Sequence, residues 1–108
     1  MRMFLRQAIA ICAAFGMAGL AALAQNDAKD LYLNKCSVCH GADGAGKTAK
    51  GKKLKVLDVR ETSKKVSGEE MIKAVLDGKG TNMDAYGKEL SKDQAKALVE
   101  YYRNLAKQ

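Results

Sequence analysis

Five consecutive residues of this 108-residue chain can do chemistry together: Cys36-Ser37-Val38-Cys39-His40. The pattern C-x-x-C-H reads as a c-type haem attachment site. On a helix, residues i, i+3 and i+4 share a face, so Cys36, Cys39 and His40 point toward one flat object. Each thiol can bond one of the two vinyl groups of a single haem, and the imidazole then lies where the iron is. One covalently bound haem c is therefore the expected cofactor, anchored through Cys36 and Cys39 and ligated on its proximal side by His40. Other uses of these residues fit less well. A zinc site needs four ligands, yet the only other cysteine is Cys12, in the N-terminal apolar run, and His40 is the only histidine. A thioredoxin-like redox pair needs a βαβ setting, and nothing nearby reads as a strand. A structural disulfide would use neither the histidine nor the spacing.

Iron held by His40 has a second axial position. With one histidine in the chain, bis-histidine ligation is excluded within a monomer. A methionine thioether raises the potential of such an iron, and Met71 and Met83 are the candidates beyond the N-terminal run. Met71 falls on the apolar face of a helix, where a methionine usually fills a core gap. Met83 falls in a loop with Gly78, Gly80 and Gly87 nearby, free to approach a flat ligand, and is the expected distal ligand. A site left open or filled by lysine is the remaining alternative.

The elements that must position these residues are helical. Asn26 and Asp27 are good caps for a first helix running to the haem motif, with Ala28, Leu31, Tyr32 and Cys36 at a helical period. Gly41, Gly44 and Gly46 then open a loop. Gly41 to Thr48 also matches the phosphate-binding pattern G-x-x-x-x-G-K-[ST], but that motif requires a preceding strand inside a βαβ unit, so it reads as fortuitous. Residues 50–65 are basic with scattered apolar positions (Leu54, Val56, Leu57, Val59) and read as loop with a short turn. Ser67-x-x-Glu70 is a capping box opening a helix whose apolar face is Met71, Ile72, Val75 and Leu76, ended by Gly78. Ser91-x-x-Gln94 is a second box, with Leu90 and Ala95 placed as a hydrophobic staple. Ala95, Leu98, Val99, Tyr102 and Leu105 then mark the last helix. Strand signals are weak throughout, so the fold class is all-α.

Before these elements, Arg2 and Arg6 precede an uncharged run from Ala8 to Ala24 that ends in Ala22-Leu23-Ala24. A basic start, an apolar stretch and an A-x-A site are the three parts of a secretory signal peptide. The run is shorter than the about 20 apolar residues of a spanning helix. The expected organisation is a cleaved leader, 1–24, taking Cys12 with it, and one domain, 25–108, exported to the periplasm or beyond, with no membrane span of its own. Two of the 19 basic residues leave with the leader, so 17 face 12 acidic ones, a net charge of +5. A domain this small needs a staple beyond its apolar burial, and a buried haem would supply it.

The domain resembles the class I c-type cytochromes over nearly its whole length. The run Tyr32-x-x-x-Cys36-x-x-Cys39-His40-Gly41 with Asp43-Gly44 is similar to that family's haem-binding segment. Asp77-Gly78-Lys79-Gly80 before Met83-Asp84-Ala85-Tyr86 is similar to its methionine loop, and Leu98 to Arg103 to its C-terminal helix. The resemblance implies three to four short helices wrapped around one haem, with N- and C-terminal helices crossed and Ala28 and Tyr32 packed near Leu98 and one of Tyr101 and Tyr102.

The expected function is one-electron transfer by a monomer. With both axial positions filled, iron changes charge without binding substrate, through an exposed haem edge. The alternatives are a haem-based sensor or a small peroxidase-type enzyme, and both need a displaceable sixth ligand. The peroxidase also needs a distal acid–base residue, usually histidine, which this chain does not have to spare. Lysines 47, 50, 52, 53, 55, 64, 65, 73 and 79 make a basic middle, in part a docking surface for an acidic redox partner. Nucleic acid is not an expected partner, because no basic motif is interleaved with aromatic residues.

Overall fold

The computed structural model describes residues 27–108; the leader, Cys12 and the Asn26 cap lie outside the described residues. The chain runs through α1 (27–35), α2 (Ser37–His40), α3 (Ala49–Lys53), α4 (Val59–Lys65), α5 (Gly68–Asp77) and α6 (Lys92–Leu105). Among the described residues the only strand-like pairing is one isolated antiparallel bridge, Lys79 with Met83. None of their helices is long and apolar enough to cross a membrane.

One core joins these helices: Tyr32, Val59, Met71, Val75, Leu90, Ala95, Leu98, Val99 and Leu105. α6 supplies four of its members and packs on both α5 and α4. The start of α6 is fixed as its sequence demands. The Gln94 amide donates to Ser91 Oγ at 3.1 Å and the Ser91 amide to Gln94 Oε1 at 2.9 Å, while Leu90 and Ala95 are both buried. At α5 only half of the expected box forms: the Glu70 amide donates to Ser67 Oγ at 3.2 Å, without the return bond from the Glu70 side chain. Tyr32 of α1 meets both α6 tyrosines, with ring centroids 5.3 Å from Tyr101 and 6.0 Å from Tyr102.

Residues 50–65 depart from the expected loop, since they contribute most of α3 and all of α4. Both helices are capped by side chains, Thr48 Oγ1 accepting from the Gly51 amide at 2.9 Å and Asp58 Oδ1 from the Arg60 amide at 2.9 Å. Each is also tied to the rest of the chain. The Val59 amide donates to the Gly44 carbonyl at 2.8 Å. Gly51 sits so close to α2 and its loop that a Cβ there would lie 2.6 Å from the Gly46 carbonyl oxygen and closer still to that of Cys39.

Two effects oppose each other at Gly51. Helix propensity alone favours alanine by about 1 kcal/mol, whereas forcing a methyl against two carbonyls in close packing costs about 1–3 kcal/mol. The backbone contacts are expected to dominate, so Gly51→Ala should lower stability while exposed Lys50→Ala stays within about 0.5 kcal/mol of wild type. Urea denaturation of both variants checks this; a gain in stability for Gly51→Ala would mean that α3 does not lie this tightly on α2.

Candidate haem site

The predicted motif forms one helical turn. Cys36 interrupts the helix, lying between α1 and α2, but its carbonyl accepts from His40 N at 2.9 Å and Cys39 N at 3.2 Å. Cys36, Cys39 and His40 are thus brought together as i, i+3 and i+4 of a continuous turn. Both cysteines are free thiols and half-buried. Burial pushes the Cys36 thiol up to about 11, so it is neutral at ordinary pH. His40 is also largely enclosed, and burial holds its imidazole below the usual range. It is therefore neutral, the form that ligates a metal. Its Nδ1 is buried with no hydrogen-bond partner, and its ring meets the edge of Tyr102 at 5.1 Å between centroids.

Three contacts hold the turn in place. The buried Tyr32 hydroxyl donates to the Gly41 carbonyl at 2.6 Å, tying the end of the turn back to α1. Thr48 Oγ1 reaches the Val38 carbonyl at 2.7 Å and the Cys39 carbonyl at 3.2 Å, two groups that the end of α2 leaves without helical partners. Gly51 then brings the backbone of α3 against the same carbonyl of Cys39. Thr48 and Gly51 were not among the expected site residues, although a threonine three residues before a glycine in a basic run is itself a cap signal.

The loop that matched a phosphate-binding pattern closes on itself. The Gly44 amide donates to Gly41 O at 3.1 Å, Gly46 to His40 O at 2.8 Å, and Ala45 to Asp43 Oδ1 at 3.0 Å. These three amides are spent on closing the loop, and a helix rather than a strand precedes it.

Met71 and Met83 separate as expected. Met71 is buried in the core on α5. Met83 lies in the loop after α5, half-buried against the core cluster on which Cys36 also packs. Its backbone is pinned by the bridge to Lys79, whose amide donates to Met83 O at 2.9 Å. The residues present fit a haem: an enclosed neutral imidazole, two free thiols on its own turn that could bond the vinyl groups, and a methionine on a loop packed against the same core. A tetrahedral zinc site has no such support, because no group of three or more His, Cys, Asp or Glu side chains among the described residues is arranged to hold a metal ion, the Cys36, Cys39 and His40 turn included.

The comparisons with known proteins agree with this geometry. Residues 23–101 match the model of the family described as cytochrome c oxidase, cbb3-type, subunit III. The chain belongs to the c-type cytochromes. A solved structure, the KustC0563 c-type cytochrome, is 32% identical with a TM-score of 0.66, over 71% of this chain and 94% of that one. A search of curated proteins finds no match. This c-type cytochrome thus has the all-α cytochrome c fold, and its family implies haem c as cofactor and haem-based electron transfer as its chemistry.

Proposed function

We propose that this c-type cytochrome is an exported carrier of single electrons, with one haem bonded to Cys36 and Cys39 and its iron ligated by His40 and Met83. The observation that carries this reading is the turn itself: two free thiols and an enclosed neutral imidazole in register on one helical turn. Cys36 and Cys39 would hold the haem as thioethers, each S–H adding across one vinyl C=C with the sulfur on one carbon and the hydrogen on the other, so that nothing would be oxidised or reduced. The bound haem supplies an iron that gains or loses one electron.

The protein's part is positional. Tyr32 and Thr48 hold the turn that carries His40, and enclosure keeps the imidazole neutral. A thioether at Met83 would favour the ferrous state and raise the potential, and a filled sixth position would keep small molecules off the iron. The leader-like sequence of residues 1–24 supports export. A redox partner with an acidic surface is supported by the lysines at 47, 50, 52, 53, 55, 64, 65, 73 and 79, all exposed. Among them lies the exposed apolar side chain of Leu57, with that of Val38 exposed between the two cysteines.

Acid–acetone extraction followed by intact-mass measurement should leave one haem on a chain that begins at Gln25. Met83→Ala should lose the weak far-red sulfur-to-iron absorption band while Met71→Ala keeps it and instead loses about 2–5 kcal/mol of stability, as a core truncation does. Haem that washes out, or band loss from Met71→Ala alone, would contradict the assignment.

Partner encounter should be steered by charge. The Debye length falls from about 30 Å at 0.01 M salt to about 10 Å at 0.1 M. Stopped-flow oxidation of the reduced protein by an acidic redox partner should therefore slow as salt rises. Charge reversal within residues 47–55 should lower the low-salt rate more than reversal of Lys107. A rate indifferent to salt, or equal losses from both sets, would leave these lysines as a solvated face.

A further inference from the structure

The break at Cys36 leaves a carbonyl over. The amides of Cys39 and His40, one turn on, both go to Cys36 O, so the carbonyl of Lys35 is free to take another donor. It takes the hydroxyl of Tyr86, 51 residues away in sequence, at 3.3 Å. Above this contact the Lys35 ammonium stands 5.8 Å from the centre of the Tyr86 ring. The same ammonium pairs with Glu89 Oε2 at 2.7 Å.

Tyr86 is itself firmly seated. Its amide donates to Val75 O at 2.9 Å, and its carbonyl accepts from Leu90 N at 2.8 Å and Glu89 N at 3.0 Å. By contrast, among the described residues the amides of Asp84 and Ala85, which join Met83 to Tyr86, make no hydrogen bond, and both residues are exposed. Met83 is therefore tethered on one side by its bridge to Lys79 and on the other only through Tyr86.

We propose that Tyr86, with the Lys35–Glu89 pair closed over its ring, is a positioning residue: it latches the Met83 loop to the turn that carries Cys36 and so holds the distal ligand in place. This rests on the reading of Met83 as an iron ligand. An exposed ion pair alone contributes little. Here the pair acts with a cation over an aromatic face and a hydrogen bond at the same point, each fastening the two segments that bear the haem's attachments.

A latch of this kind sets how often Met83 leaves its position, and an added ligand for the iron reports that fraction. Apparent affinity scales with the fraction of molecules in the open state. Imidazole titration of the ferric holoprotein, followed by loss of the far-red band, is the measurement. Tyr86→Phe keeps the ring and removes only the hydroxyl; it should reach half-loss at an imidazole concentration about three- to tenfold below wild type. Glu89→Lys should act in the same direction, and Lys35→Glu combined with Glu89→Lys should return the midpoint toward wild type, which a general loss of stability would not do. Tyr86→Phe and Glu89→Lys at the wild-type midpoint, with the band abolished in Met83→Ala, would overturn the latch and leave the ligand standing. A band that survives Met83→Ala would overturn the ligand assignment and the latch with it.

Discussion

The rest of the structure depends on one turn of backbone, residues 36–41, being held rigid from several sides. A helical turn of six residues is not stable by itself, since nucleating a helix fixes several dihedrals for a single hydrogen bond. Here the Tyr32 hydroxyl closes it from α1, Thr48 takes up its free carbonyls from the start of α3, and Gly51 lets α3 approach without a side chain between. α3 has no apolar core of its own and exists largely to back this turn. The register of Cys36, Cys39 and His40 is thereby set by packing rather than by the motif's own propensity.

A second consequence concerns charge. The site is enclosed enough to keep both its imidazole and the Cys36 thiol neutral, while the described surface carries the lysines. On the proposed function, an apolar interior with charge kept at the periphery would separate two tasks: the interior would govern the iron, and the exterior which partner comes near. The Lys35–Glu89 pair is where the two meet, because it lies on the surface and yet touches the only tyrosine of the methionine loop.

What could be read in the sequence follows from how local each signal is. The C-x-x-C-H turn, the Ser91 box and the core face of α6 were legible because each is written within a few residues, and the structure reproduces all three. Met71 could be assigned to the core from helical period alone. α3 and α4 were not recognised, because Leu54, Val56, Leu57 and Val59 follow no helical period and their stabilisation is tertiary, through the Gly44, Val38 and Cys39 carbonyls. A local signal existed for α4 in Asp58-Val59-Arg60-Glu61, an acidic cap with a glutamate three residues on. Nothing local could have paired Tyr86 with Lys35, since that contact arises only once α1 has been broken at Cys36 and the methionine loop folded back over it.

The central claim, that both axial positions are filled and the protein carries single electrons, is tested most directly by exposing the reduced holoprotein to carbon monoxide during a spectroscopic redox titration. A single one-electron transition with a spectrum indifferent to carbon monoxide is expected. Rapid conversion to a carbon monoxide complex, at a rate unchanged by Met83→Ala, would mean that the sixth position is open and would contradict the account.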